Sequence, residues 1–96
     1  MKIIIDEQSV AWYREELDLG DGDSIRFFPR YGEYSPIQSG FSLGISPEPA
    51  KEAKALTEKG GLSFFVEEDD LWYFDGHDLE VQFDEKKAEP AFHYHK

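Results

Sequence analysis

"RFFPRYGEYSPIQSGFSLG", residues 26–44, sets two aromatic runs on either side of a loop of Gly, Ser, Pro and Tyr. The run 24–30, "SIRFFPR", is rich in β-branched and aromatic residues and bounded by turn residues, so it reads as a strand. Pro29 has no N–H to offer a neighbour, so the strand should reach an edge or an end there. After the loop, Phe41, Leu43 and Ile45 alternate with Ser42, Gly44 and Ser46, the pattern of a half-buried strand with one wet face. The loop itself, residues 31–39, has the composition of a ligand or metal loop. Yet it holds no Cys, no His and one carboxylate, Glu33.

Upstream, "KIII" at 2–5 reads as a short strand that runs into a helix start. Asp6 suits the N-cap, and Glu7 suits the positive end of the helix dipole. Ile5 and Val10 occupy the two positions of a hydrophobic staple. Val10, Tyr13 and Leu17 then recur at helical spacing and make one apolar stripe, so the helix spans about residues 7–18. Gly20 is the expected left-handed stop, and residues 20–23 form a turn.

Downstream, "PEPAKEAKALTEKGG" at 47–61 contains good helix formers but only a sparse stripe of Ala50, Ala53 and Leu56, so propensity alone suggests a short helix. Residues 62–66 read as a strand, "EEDD" as an acidic turn, 71–74 ("LWYF") as another strand, and "DGHD" as a further turn. Leu79, Val81 and Phe83 alternate with polar residues in another half-buried strand, and residues 91–95 suggest a last one. One helix followed by about six short strands points to a mainly β domain with the helix packed on it.

Composition narrows the function. At 96 residues the chain is expected to form one domain, residues 1–96. Hydrophobic residues make up 40% and aromatics 16%, enough for a thin but real core. The net charge of −11 repels phosphate backbones and anionic lipid, so neither nucleic acid nor a membrane is an expected partner. No apolar run approaches a bilayer span. "MKIII" meets Asp6 and Glu7 at once, so no signal peptide is expected and a cytoplasmic location is. The absence of cysteine excludes a disulfide framework, a thiolate metal site and a catalytic thiol.

Catalytic patterns are absent in recognisable form. Ser, His and Asp occur, but a triad is defined by geometry rather than presence. "GDGDS" follows a helix and is acidic, unlike a phosphate-cradling loop. At the other end, an extended "HYH" puts His93 and His95 on one face about 7 Å apart. That makes them candidate ligands for iron or zinc, with His77, Asp75 or Asp78 as a third; solvated tail residues are the plainer reading. From Glu67 to Glu85 there are nine Asp and Glu and no Lys or Arg. "EEDD" lacks the spacing of a calcium loop. A solvated face, or a docking face for a basic protein partner, fits this run better. The aromatics are read as core, with Trp72 and Tyr31 as alternatives for lining a pocket.

The order of features resembles the HesB/IscA family of A-type iron–sulfur cluster assembly proteins. "IIIDEQSVAWYREEL" is similar to that family's opening, "IRFFPRYGEYSPIQSGFSLGI" to its central strand–loop–strand segment, and "GGLSFFVEEDDLWYFDGHDLEVQF" to its strand, acidic turn and Asp-Gly-x-x-Leu pattern, with Asp75, Gly76 and Leu79 in place. The resemblance covers nearly the whole chain. It implies a compact sandwich or pseudobarrel of two mixed sheets with a flanking helix. It also replaces the helix at 47–61 with an extended segment at 54–59, in hairpin with 62–66.

The family's functional residues do not carry over. Its cysteines lie in the central loop, where Tyr34 stands here between Glu33 and Ser35, and in a Cys-Gly-Cys tail, where this chain has "EPAFHYHK". Thiolates hold such clusters because soft sulfur suits the iron–sulfide core, and hard oxygens are poor substitutes. The expectation is therefore a non-enzymatic HesB-like domain without a conventional cluster, acting by protein binding. The alternatives are a mononuclear iron or zinc protein using His93 and His95, or a small-ligand binder using the 31–39 loop. Family members form dimers or tetramers, but the sequence leaves the oligomeric state open.

Overall fold

Local signals set the first elements. The computed structural model describes all 96 residues. Strand β1 (Ile3–Ile5) leads into helix α1 (Glu7–Glu16). Asp6 is the N-cap, in extended backbone, and its carboxylate accepts the Ser9 amide at 2.9 Å. Ile5, Val10 and Tyr13 are buried, as the staple and stripe require. The stop is not at Gly20. Asp18 takes the left-handed conformation (φ 51°), and its amide and that of Leu19 donate to the Glu15 and Arg14 carbonyls. This is the double bond of a Schellman ending, two residues earlier than glycine preference suggests; Asp tolerates this conformation better than most residues do.

The remaining strands are β2 (Ser24–Tyr34), β3 (Ser39–Pro47), β4 (Ala53–Lys59), β5 (Leu62–Glu67), β6 (Asp78–Asp84) and β7 (Glu89–His95). Residues 54–59 are extended, so the hairpin with β5 replaces the helix that propensity favoured. Gly60 and Gly61 make its two-residue turn with φ of 60° and 82°. Both signs suit a turn whose twist matches the strands, which only glycine adopts without strain. One expected strand is absent. Glu68–Phe74 forms a 3-10 helix closed by Asp75 in the left-handed region. Its winding buries the adjacent Tyr73 and Phe74 together, whereas neighbours on a strand face opposite sides.

Two mixed sheets result, ordered β1-β6-β7 and β3-β2-β5-β4, and they do not close into a barrel. In the first sheet β1 runs parallel to β6 and β6 antiparallel to β7. In the second, β2 is parallel to β5 only over Ser24–Arg26 and then continues beyond it, paired with β3 alone. Pro29 lies in that overhang, where its missing N–H leaves no ladder to β5 broken. The inner faces and α1 enclose one core that includes Ile25, Phe27, Phe64, Leu79 and Val81. The radius of gyration is 12.6 Å, against about 12.5 Å for a compact chain of this length. Phe41, Leu43 and Ile45 of β3 sit at the margin of this core, only partly covered.

Candidate functional site

The loop quoted at the outset is the tip of the β2–β3 hairpin. A bulge between Tyr31 and Tyr34 is made by Gly32 (φ 101°) and Glu33 (φ 62°), after which Tyr34 pairs with Ser39. Ser35 is buried, and its hydroxyl lies within hydrogen-bond distance of the Gln38 amide (3.2 Å) and carbonyl (3.3 Å). The Gln38 side chain donates to the Tyr73 carbonyl at 3.2 Å and also reaches that of Trp72. The tip is thus tied to the 3-10 helix.

The fold brings this loop to the tail. Glu33, Tyr34 and Ser35 face Pro90, Phe92 and Tyr94 across an open groove of about 380 Å³. Tyr34 is 73% exposed. Tyr94 is half-buried, and its hydroxyl lies 3.0 Å from that of Tyr73. Burial, then the contact with Tyr73, pushes its ionisation above the ordinary tyrosine range.

His93 and His95 do share a face, but strand alternation turns them away from the side of β7 that carries Phe92 and Tyr94. They stand opposite Glu80 and Asp78, and His95 Nε2 lies 2.8 Å from Glu80 Oε1. His77 is engaged elsewhere: its Nδ1 sits 2.8 Å from the Phe74 carbonyl, to which it must donate. No group of three His, Asp or Glu side chains placed to hold a metal ion is present. The residues at the loop and tail do not fit an iron–sulfur cluster either. The donors there are phenol, hydroxyl and carboxylate, the imidazoles point elsewhere, and no thiolate exists.

Sequence reasoning missed an exposed aromatic strip. Tyr31 is 91% exposed and packs edge-on against Phe41 at 5.7 Å, which meets Trp72 at 5.2 Å. Trp72, 51% exposed, leans in turn on buried Tyr73 at 6.2 Å. The 3-10 helix that carries Trp72 is anchored by Asp70, whose Oδ2 accepts from Arg26 Nε (2.9 Å) and Nη2 (2.7 Å). Arg26 also reaches Glu48 at 3.3 Å. Burial alone would lower the Arg26 pKa, but Asp70 and Glu48 outweigh it and raise it. Reading Trp72 and Tyr31 as pocket-lining residues named two members of the strip, but nothing in the sequence joined them.

Comparison with known proteins places this geometry. No family model matches the chain. A Bacillus subtilis (strain 168) protein named pyruvate dehydrogenase inhibitor is 51% identical over 94 residues, covering 98% of this chain and 99% of that one. Uncharacterised proteins of Staphylococcus saprophyticus and Staphylococcus haemolyticus are 37% and 34% identical, over 82% and 85% of this chain and 84% and 86% of theirs. Among solved structures, IscA with a [2Fe-2S] cluster superposes with a TM-score of 0.52 at 14% identity, over 98% of this chain and 81% of that one. At that identity the match shows the HesB/IscA fold and nothing further.

Proposed function

We propose, from the premise that the chain belongs to the family of the Bacillus subtilis pyruvate dehydrogenase inhibitor, that it is a non-catalytic protein that binds and restrains a pyruvate dehydrogenase. The observation that carries this reading is identity of 51% sustained over 98% of the chain. The site chemistry is consistent with it. The fold brings loop and tail together across one groove, but the donors there do not suit a cluster. The features left for recognition are a stable aromatic surface and an acidic one, and these suit a protein partner with basic character. We place the encounter in the cytoplasm, in keeping with a cysteine-free chain.

The test is a titration. Purified, tag-free protein is added to a purified pyruvate dehydrogenase complex while the rate of pyruvate oxidation is followed. Saturable loss of rate, with complex formation seen by light scattering, is expected. An unchanged rate, with no complex at a large molar excess of the protein, would refute the proposal.

A further inference from the structure

We propose that the strip Tyr31–Phe41–Trp72 is the docking face of this protein, and that its occupant is a protein surface presenting Lys and Arg side chains. The inference rests on the reading above for the partner being a protein, and deepens it by naming the face.

Four observations lead to it. First, the strip is built from two separate segments and reaches solvent only because β2 overruns β5 after Arg26. It is rooted in the core through Tyr73. Second, the Tyr31 and Trp72 rings are exposed, with Phe41 half-buried between them. Tyr and Trp dominate the energetics of protein interfaces because they bury much area per ordered torsion. Third, the strip is already ordered. The Gln38 amide side chain and the Arg26–Asp70 pair hold the segment bearing Trp72, so docking immobilises little that is free.

Fourth, apart from Arg30, the exposed charged residues within three positions of Tyr31, Phe41 and Trp72 are acidic. Glu33 lies two residues after Tyr31, and Asp69 and Asp75 lie three residues to either side of Trp72. All three are exposed, and none takes part in an ion pair. The nearest base in sequence, Arg30, lies on the other side of the ribbon, its stem against Gly44.

Aromatic faces flanked by carboxylates suit cations, which can sit over a ring while pairing with an acid at its edge. The same charges argue against other occupants. A second copy would bring its own net charge of −11 to the contact, and nucleic acid or anionic lipid would be repelled.

The experiment has two arms. In one, a short synthetic Arg/Lys–Gly peptide is titrated into isotope-labelled protein and followed by NMR. Shifts should cluster at Tyr31, Phe41 and the Trp72 indole, leave the Trp12 indole unmoved, and fade as salt is added. In the other, affinity for purified pyruvate dehydrogenase is measured. Tyr31→Ala, which removes a side chain outside the core, and Trp72→Ala should each weaken binding by about tenfold or more. Leu56→Ala and Ile4→Ala, exposed elsewhere, should stay within about twofold.

Peptide shifts elsewhere, together with strip variants that bind the enzyme like the wild type, overturn the inference but leave the proposed function standing. A wild type that ignores the enzyme while the peptide maps to the strip does the reverse. A wild-type dimer that Trp72→Ala converts to monomer overturns the basic-partner assignment outright.

Discussion

Replacing Asp6 with Ala should destabilise the protein by about 2–4 kcal/mol, more than an ordinary helix cap is worth. The excess comes from a second job. One carboxylate oxygen accepts the Ser9 amide of α1 at 2.9 Å, and the other accepts the Phe83 amide of β6 at 2.9 Å. The cap accounts for about 1 kcal/mol. Leaving the partly buried Phe83 N–H without its charged acceptor adds about 1–3 kcal/mol. Asp6→Asn retains one carbonyl oxygen for two amides, so it should fall between the wild type and Asp6→Ala.

Urea unfolding followed by tryptophan fluorescence measures these differences, with the slope of the transition unchanged. The pH dependence has a definite sign. Burial pushes the Asp6 carboxyl up, but hydrogen bonds from Ser9 and Phe83 and the charge of Lys59 outweigh it, leaving it below its ordinary value of 3.8. A carboxyl depressed in the folded state contributes stability above its unfolded value and loses it as pH falls through the folded one. The gap between wild type and Asp6→Ala should therefore hold steady from neutrality to about pH 4 and shrink below it. A gap under about 0.5 kcal/mol at neutral pH, the range of ordinary surface changes, would refute the double role. So would a gap that widens on acidification.

Arg26→Met strands Asp70, whose side chain is only 10% exposed, and should cost about 2–3 kcal/mol, below the range for fully buried pairs because Arg26 is 27% exposed. Calorimetry measures the loss, and a melting temperature like the wild type's would refute it. Tyr73→Phe and Tyr94→Phe each leave one hydroxyl unpaired and should cost about 1 kcal/mol, while the double variant should lose less than the sum. Tyr13, raised by burial and then by Glu89, and Tyr94 both ionise above the usual tyrosine range, so their contribution is complete below about pH 10 and is lost as pH rises beyond it. Absorbance titration should find these two phenols silent when exposed tyrosines have ionised. Anaerobic incubation with iron and sulfide should leave no stoichiometric cluster absorbance after desalting; a stable chromophore would show that the oxygen donors suffice.

Helix α1 was legible because its signals are local. Asp6, the Ile5–Val10 pair and the stripe to Tyr13 act on neighbours within a turn or two. The hairpin of β4 and β5 was legible only through resemblance, since Lys and Ala at 51–55 favour helix, and pairing with β5 overrode them. "LWYF" misled for a related reason. Its aromatic content suits a strand, but the pull of Arg26 on Asp70, 44 residues away in sequence, and the demand to bury Tyr73 and Phe74 together select a 3-10 turn.

The sequence by itself determined that this chain is rich in aromatics, that it carries no thiolate, and that its 31–39 loop and its tail offer only oxygen and imidazole as ligands. Those facts depend on residue identity and spacing alone. Only the tertiary structure decided what these residues face. The parallel partner of β2 ends at Arg26, so the hairpin overhangs and Tyr31 meets Phe41 and Trp72 in the open. Strand β7 turns Phe92 and Tyr94 inward, so His93 and His95 point away from Tyr34. Which strands share hydrogen bonds is settled by the burial of the whole core, a sum over distant residues that no short window of sequence contains.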